Sequence, residues 1–163
     1  MKFILVRHGK SSWGTNQNDH DRPLAPRGIR AAEKIGRWLV SKGYFPQTVL
    51  CSTATRTRQT WEGISKLVPA PKEEVFVPAL YGASPGMMLK HLQNAKNSTV
   101  IMIGHNPGSA ELARIVLRKP PQSLQFSRFP TCATMVCDFP NKEWEDINPG
   151  EAHLLDFVVP REI

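Results

Sequence analysis

Cysteine is scarce. The chain of 163 residues holds three, Cys51, Cys132 and Cys137, too few and too scattered for a disulfide framework. Cys132 and Cys137 lie five positions apart, an odd step that on one strand sends them to opposite faces, so they are not expected to pair. A reduced, cytoplasmic compartment is the resulting expectation. Long apolar runs are also missing, and nothing approaches the roughly 20 residues that span a bilayer. Phe3-Ile4-Leu5-Val6 is closed at once by Arg7, short of a signal-peptide core, so neither membrane insertion nor secretion is expected. Acidic residues are in deficit, 14 against 21 Lys and Arg, for a formal net charge of +7. Such a surface attracts anions (nucleic acid, phosphoproteins or phosphorylated metabolites), or is merely soluble. The basic residues form no dense run and no aromatic-flanked stripe of the kind that binds RNA, so nucleic acid is not an expected partner.

What is present describes an ordinary globule. Hydrophobic residues make up 40% and charged ones 21%, values that argue against disorder. The length suits one domain over residues 1–163. Apolar runs alternate with helical patterns: strands over Lys2–Val6, Thr48–Cys51, Val75–Val77 and Ser98–Ile103, and helices over Ala54–Val68, Pro85–Asn94 and Gly108–Leu117. A further helix starts at Pro26, a first-turn proline, carries Ile29, Ala32, Ile35, Trp38 and Leu39 on one face, and ends at Gly43. After Pro120-Pro121 the pattern turns to β, over Thr131–Asp138 and Ala152–Val159. This alternation predicts an α/β three-layer sandwich, a mostly parallel central sheet with helices on both faces and one antiparallel strand.

In open α/β sheets, ligands sit beyond the carboxyl ends of the strands. Arg7-His8-Gly9 follows the first predicted strand, Ser52 and Arg56 follow the second, and Gly104-His105-Asn106 follows the third. Three strand ends thus deliver two arginines and two histidines with no carboxylate immediately beside them, a set suited to a dianion. Helix N-termini at Ala54 and Gly108 add their positive dipole ends to the same side. Any one of these residues alone reads as an ordinary structural histidine, surface charge or turn. Their coincidence at one edge favours a site.

Leu5-Val6-Arg7-His8-Gly9-Lys10-Ser11-Ser12-Trp13, Asp19-His20-Asp21-Arg22-Pro23-Leu24, the Ser52 to Thr60 block with Arg56-Thr57-Arg58-Gln59-Thr60, and Gly104-His105-Asn106 together resemble the histidine phosphatase superfamily (phosphoglycerate mutase-like). Within it they look like the small SixA-type phosphohistidine phosphatases, over nearly the whole chain. The resemblance implies that His8 is a nucleophile that passes through a phosphohistidine intermediate. Its neutral imidazole needs a fixed acceptor on the other ring nitrogen. Arg7 and Arg56 would hold phosphate with planar guanidinium forks, and His105 would donate to the phosphoryl oxygens. No cofactor and no metal are implied. Lys10 and Ser11 follow the nucleophile and either line the mouth of the site or belong to a solvated loop.

The general acid departs from much of that superfamily. Where phosphoglycerate-mutase-like members carry a glutamate, this chain reads Pro78-Ala79-Leu80-Tyr81-Gly82-Ala83. Asp19 is the remaining candidate, and an ion pair with Arg22 or an Asx-type turn is its other reading. An alkoxide leaving group needs a proton, whereas the imidazole of a phosphohistidine departs with little help. The missing glutamate therefore tilts the expected substrate towards an N–P bond. The short stretch from Thr60 to Gly104 leaves no room for a large lid, so an open site that admits a phosphohistidine-bearing signalling protein is expected. The alternatives are a small phosphomonoester as substrate, or a phosphate-binding module with weak catalysis.

Overall fold

Phe3-Ile4-Leu5-Val6 has no polar side to show to water, and such a run is stable only as a strand covered on both faces. In the computed structural model, which describes residues 1–14 and 16–163, it forms β1 (Lys2–Arg7) near the middle of one sheet. The other strands are β2 (Thr48–Ser52), β3 (Glu73–Val77), β4 (Thr99–Gly104), β5 (Thr134–Asp138) and β6 (His153–Val158). Their spatial order is β3-β2-β4-β1-β5-β6. β3, β2, β4 and β1 pair in parallel. β5 runs against both β1 and β6, which makes it the one antiparallel strand and returns β6 to the common direction. The α/β sandwich expected from the sequence, with its single antiparallel strand, is the observed one.

The pleat sorts alternate side chains into two cores. Phe3, Leu5, Leu50, Val100 and Met102 face one layer, which is closed by α3 (Pro85–Gln93) and α4 (Gly108–Val116) through Met88, Leu92, Leu112 and Val116. Ile4, Val6, Val49, Cys51, Ile101 and Ile103 face the other, closed by α1 (Pro26–Ser41) and α2 (Thr55–Ser65) through Ala32, Ile35, Leu39 and Ile64. Cys132 and Cys137 fall in opposite cores and are free thiols.

Several boundaries differ from the sequence expectation. α1 turns Gly28 rather than Ile29 inward, and Ile29 is left exposed. α2 stops at Ser65 instead of reaching Val68. β5 starts at Thr134 rather than Thr131 because Cys132 has φ 58, which no strand tolerates. The stretch after Pro120-Pro121 holds a short helix, α5 (Leu124–Arg128), where only β structure was expected. Among the described residues no helix is long and apolar enough to cross a membrane.

Candidate active site

Strand register builds the site. Arg7 stands opposite Gly104 in the β1–β4 ladder, and the His8 N–H donates to the Gly104 carbonyl at 3.0 Å. His8 and His105 therefore leave adjacent strand ends together, with ring centroids 5.1 Å apart. β2, on the other side of β4, ends in Ser52, and its Oγ lies 2.8 Å from His105 Nε2. Three residues on, at Thr55, the chain enters α2, whose first turn carries Arg56. The Arg56 guanidinium approaches the imidazole of His8, Nε to Nε2, at 3.4 Å. Arg7 donates from Nη1 to the Phe129 carbonyl, 3.1 Å. Both histidines and Arg56 are buried.

The backbone fixes the tautomer of His8. Its Nδ1 sits 2.7 Å from the Gly9 carbonyl oxygen, and a carbonyl only accepts, so Nδ1 carries the proton and Nε2 keeps its lone pair. Thr60 Oγ1 accepts from the Gly9 N–H at 3.0 Å and pins that peptide in turn. Burial, with Arg56, Arg7 and Arg22 nearby, pulls the imidazole down to about 4. His105 is drawn down to about 3, chiefly by burial and then by His8 and Arg56. Both rings are neutral near pH 7. Arg7 Nε and His105 Nδ1 are buried with no hydrogen-bond partner in the protein.

Asp19 lies in a 3-10 turn (Asp19–Asp21) whose backbone and side chain both meet Arg56. Its carbonyl accepts from Nη1 at 2.6 Å and its Oδ2 from Nη2 at 3.1 Å. Oδ1 accepts from Arg22 Nε at 3.1 Å, and the Tyr81 hydroxyl donates to Oδ2 at 2.6 Å. These partners, Tyr81 first and then Arg56 and Arg22, hold the carboxyl at about 2, so it is an anion at neutral pH. The expected ion pair with Arg22 is present, and the tie to Arg56 is present beside it.

Arg7, His8, Arg56 and His105 are thus brought into one cluster, and Asp19 adjoins it. Lys10 and Ser11 are not in it. Ser11 Oγ accepts from Arg22 Nη1 at 3.0 Å, supporting the guanidinium that lies 3.5 Å over the Trp13 ring. Lys10 lines a separate cleft. Four further residues take part: Ser52, Thr60 and Arg22, which stood in the sequence motifs without an assigned role, and Tyr81, which no motif contained. Tyr81 packs edge-on against both His105 and His20. It could have been found by the same strand-end rule, since it follows β3 within four residues. Among the described residues no group of three or more His, Cys, Asp or Glu side chains is placed to hold a metal ion.

A cationic cup centred on imidazole at the carboxyl edge of a mostly parallel sheet defines an α/β protein of the phosphoryl-handling kind. The chain belongs to the histidine phosphatase superfamily (branch 1), whose sequence model matches residues 3–88. An uncharacterized protein of Mycobacterium tuberculosis is 37% identical over 96% of this chain and 100% of its own. An uncharacterized chloroplastic protein of Arabidopsis thaliana is 33% identical over 98% of this chain and 78% of its own. Among solved structures, SixA of Agrobacterium tumefaciens matches at TM-score 0.79 and 26% identity, covering 98% of this chain and 97% of that one. The protein histidine phosphatase SixA bound to tungstate matches at TM-score 0.82 over 99% of both chains, at 22% identity, and so shares the fold.

Proposed function

We propose that this protein is a metal-independent phosphohistidine phosphatase that acts on a phosphorylated protein through a phosphorylated His8. The observation that carries the proposal is the pinned imidazole: Nδ1 bound to the Gly9 carbonyl, Nε2 free of a proton, and the ring neutral down to about pH 4. In this reading Nε2 attacks phosphorus, forming its N–P bond as the substrate's N–P bond breaks. The substrate imidazole leaves as the neutral base from a ring already protonated in water. Water then attacks phospho-His8, releasing inorganic phosphate and restoring the neutral ring. Arg7, Arg56 and His105 stabilise the charge spread over the transferring oxygens, which is most of what catalysis of this step requires. Arg56 gives up its long contact with Nε2 to do so.

Asp19 enters as a positioning anion. Ionised, and bound to Tyr81, Arg22 and Arg56, it has no proton to give at neutral pH and instead orders Arg56. That supports an N–P substrate, because an alkoxide would leave unprotonated. Capture of tungstate, a tetrahedral oxyanion, by the SixA protein of the same fold is in keeping with a phosphoryl-sized cup.

The test is brief incubation with a ³²P-labelled, histidine-phosphorylated protein, quenching, and mapping of the label. Acid-labile, alkali-stable label is expected on His8 and absent from His8→Ala, which should retain its fold. A sugar-phosphate panel should be turned over less efficiently by a factor on the order of 10²–10⁴, the worth of a proton delivered to the leaving group. Undiminished turnover by His8→Ala, or a preference for the sugar phosphates, would refute the proposal.

A further inference from the structure

A second concavity lies outside the catalytic cup. It is a cleft of about 770 Å³ between the loop after His8, the first turns of α1, the α5 segment and the end of β6. Four cations line it, Lys10, Arg27, Arg128 and Arg161, and no carboxylate does. None of the four makes an ion pair with a carboxylate among the described residues. Glu162 nearby is engaged by Gln125 Nε2 at 2.7 Å, and Gln125 also receives the Arg161 guanidinium. Gathering four like charges without compensation costs energy by self-repulsion. A structure that tolerates this is complementary to an anionic partner.

The cleft is also wired to the cup. Lys10 lies two residues beyond His8. Arg128 and Phe129 accept through their carbonyls from Asn106 Nδ2, at 2.9 and 3.2 Å, and Phe129 accepts from Arg7 as well. One wall therefore continues the His8 loop, and the other holds Arg7 and the neighbour of His105. A chain lying in the cleft would present its next residues at the mouth of the cup.

We infer that this cleft binds an acidic polypeptide segment of the substrate protein, beside its phosphorylated residue; the inference rests on the protein-phosphatase reading above. The lining favours polypeptide over nucleic acid. Between the cations, beside the polar Ser123, Gln125 and Thr131, it is aliphatic, with Leu124 exposed at 65% and Val159 at its edge. It contains no aromatic ring on which a base would stack. Its volume exceeds what an inorganic anion fills and matches a ligand of several residues.

The test uses the full chain and an Arg27→Glu/Arg128→Glu double variant, neither side chain being part of the cup. Fluorescence anisotropy with a labelled Asp/Glu-rich dodecapeptide should show salt-sensitive binding to the parent protein, weakened roughly tenfold or more in the variant. With a histidine-phosphorylated protein, kcat/KM should fall by a similar factor through KM, while turnover of inorganic phosphoramidate is unchanged. Equal peptide affinity for both proteins would overturn the inference. So would a matching fall in phosphoramidate turnover, or an oligonucleotide that binds tighter than the peptide and responds to the same substitutions. Failure of the parent protein to dephosphorylate any histidine-phosphorylated protein would strike the proposed function instead, and the peptide arm would still judge the cleft.

Discussion

Tyr81 and Asp19 meet at 2.6 Å, hydroxyl to carboxylate, and that one contact decides what Asp19 can do. A phenol donating to a carboxylate favours the ionised form, and here it acts together with Arg56 and Arg22. Removing only the donor, in Tyr81→Phe, leaves the ring that packs edge-on against His105. The Asp19 carboxyl should then titrate at higher pH, and Arg56 should lose a fixed partner. Both Tyr81 and Asp19 are exposed, so the loss is that of a solvent-shared hydrogen bond to a charge, about 1 kcal/mol or roughly fivefold in kcat/KM. A pH titration of Asp19 by NMR beside steady-state kinetics would check both expectations. An unmoved carboxyl titration would mean that the two arginines alone set its charge. Sequence reading found the region and missed the residue. It searched Pro78–Ala83 for an acid, whereas the structure uses a phenol there to keep a more distant acid ionised.

At the scale of elements, the cup depends on a close approach between the His8 loop and the first turn of α1. A Cβ placed on Gly28 would stand 2.3 Å from the Lys10 carbonyl oxygen and 2.9 Å from the Lys10 nitrogen. Both are backbone atoms, so a side chain at Gly28 must push the whole loop. Gly28→Ala should therefore cost about 1–3 kcal/mol of stability and reduce kcat by moving Gly9, whose carbonyl sets the His8 tautomer. Thermal unfolding and kinetics together would test this; a variant with parental stability and kcat would show that the loop yields freely. Elements buried on both faces, β1, β2 and β4, were legible because a continuous apolar run has few other uses. α5 was not, since five residues with one buried side chain, Phe126, carry no period. The same contrast holds for the site. Residues placed by strand ends, His8, Arg56 and His105, could be read from spacing. Ser11 and Lys10 sit on a loop whose side-chain directions no period dictates, and they turn to Arg22 and to the basic cleft.

For the molecule as a whole, keeping two imidazoles neutral inside a cationic cup makes stability depend on pH with a definite sign. An unfolded histidine titrates near 6.5, while His8 and His105 in the fold titrate at about 4 and about 3. Between those limits the unfolded chain binds more protons than the native one, so unfolding becomes easier as pH falls. The stabilisation is complete above pH 6.5 and is lost progressively as the solution is taken down towards pH 3, at about 1.4 kcal/mol per pH unit for each proton taken up. At the alkaline end Tyr44, raised to about 12 by burial and by its bond to Asp156, acts in the opposite direction. The unfolded phenol ionises from about pH 10 and the folded one later, so stability declines as pH climbs through that window. Denaturant unfolding from pH 4 to 8 should therefore show a plateau above 6.5 and an acid limb whose slope approaches two protons. In a His8→Gln/His105→Gln variant that limb should flatten. A parent protein equally stable at pH 4.5 and 7 would mean that its imidazoles take up protons in the folded state as readily as in water, and that burial does not hold His8 neutral in acid.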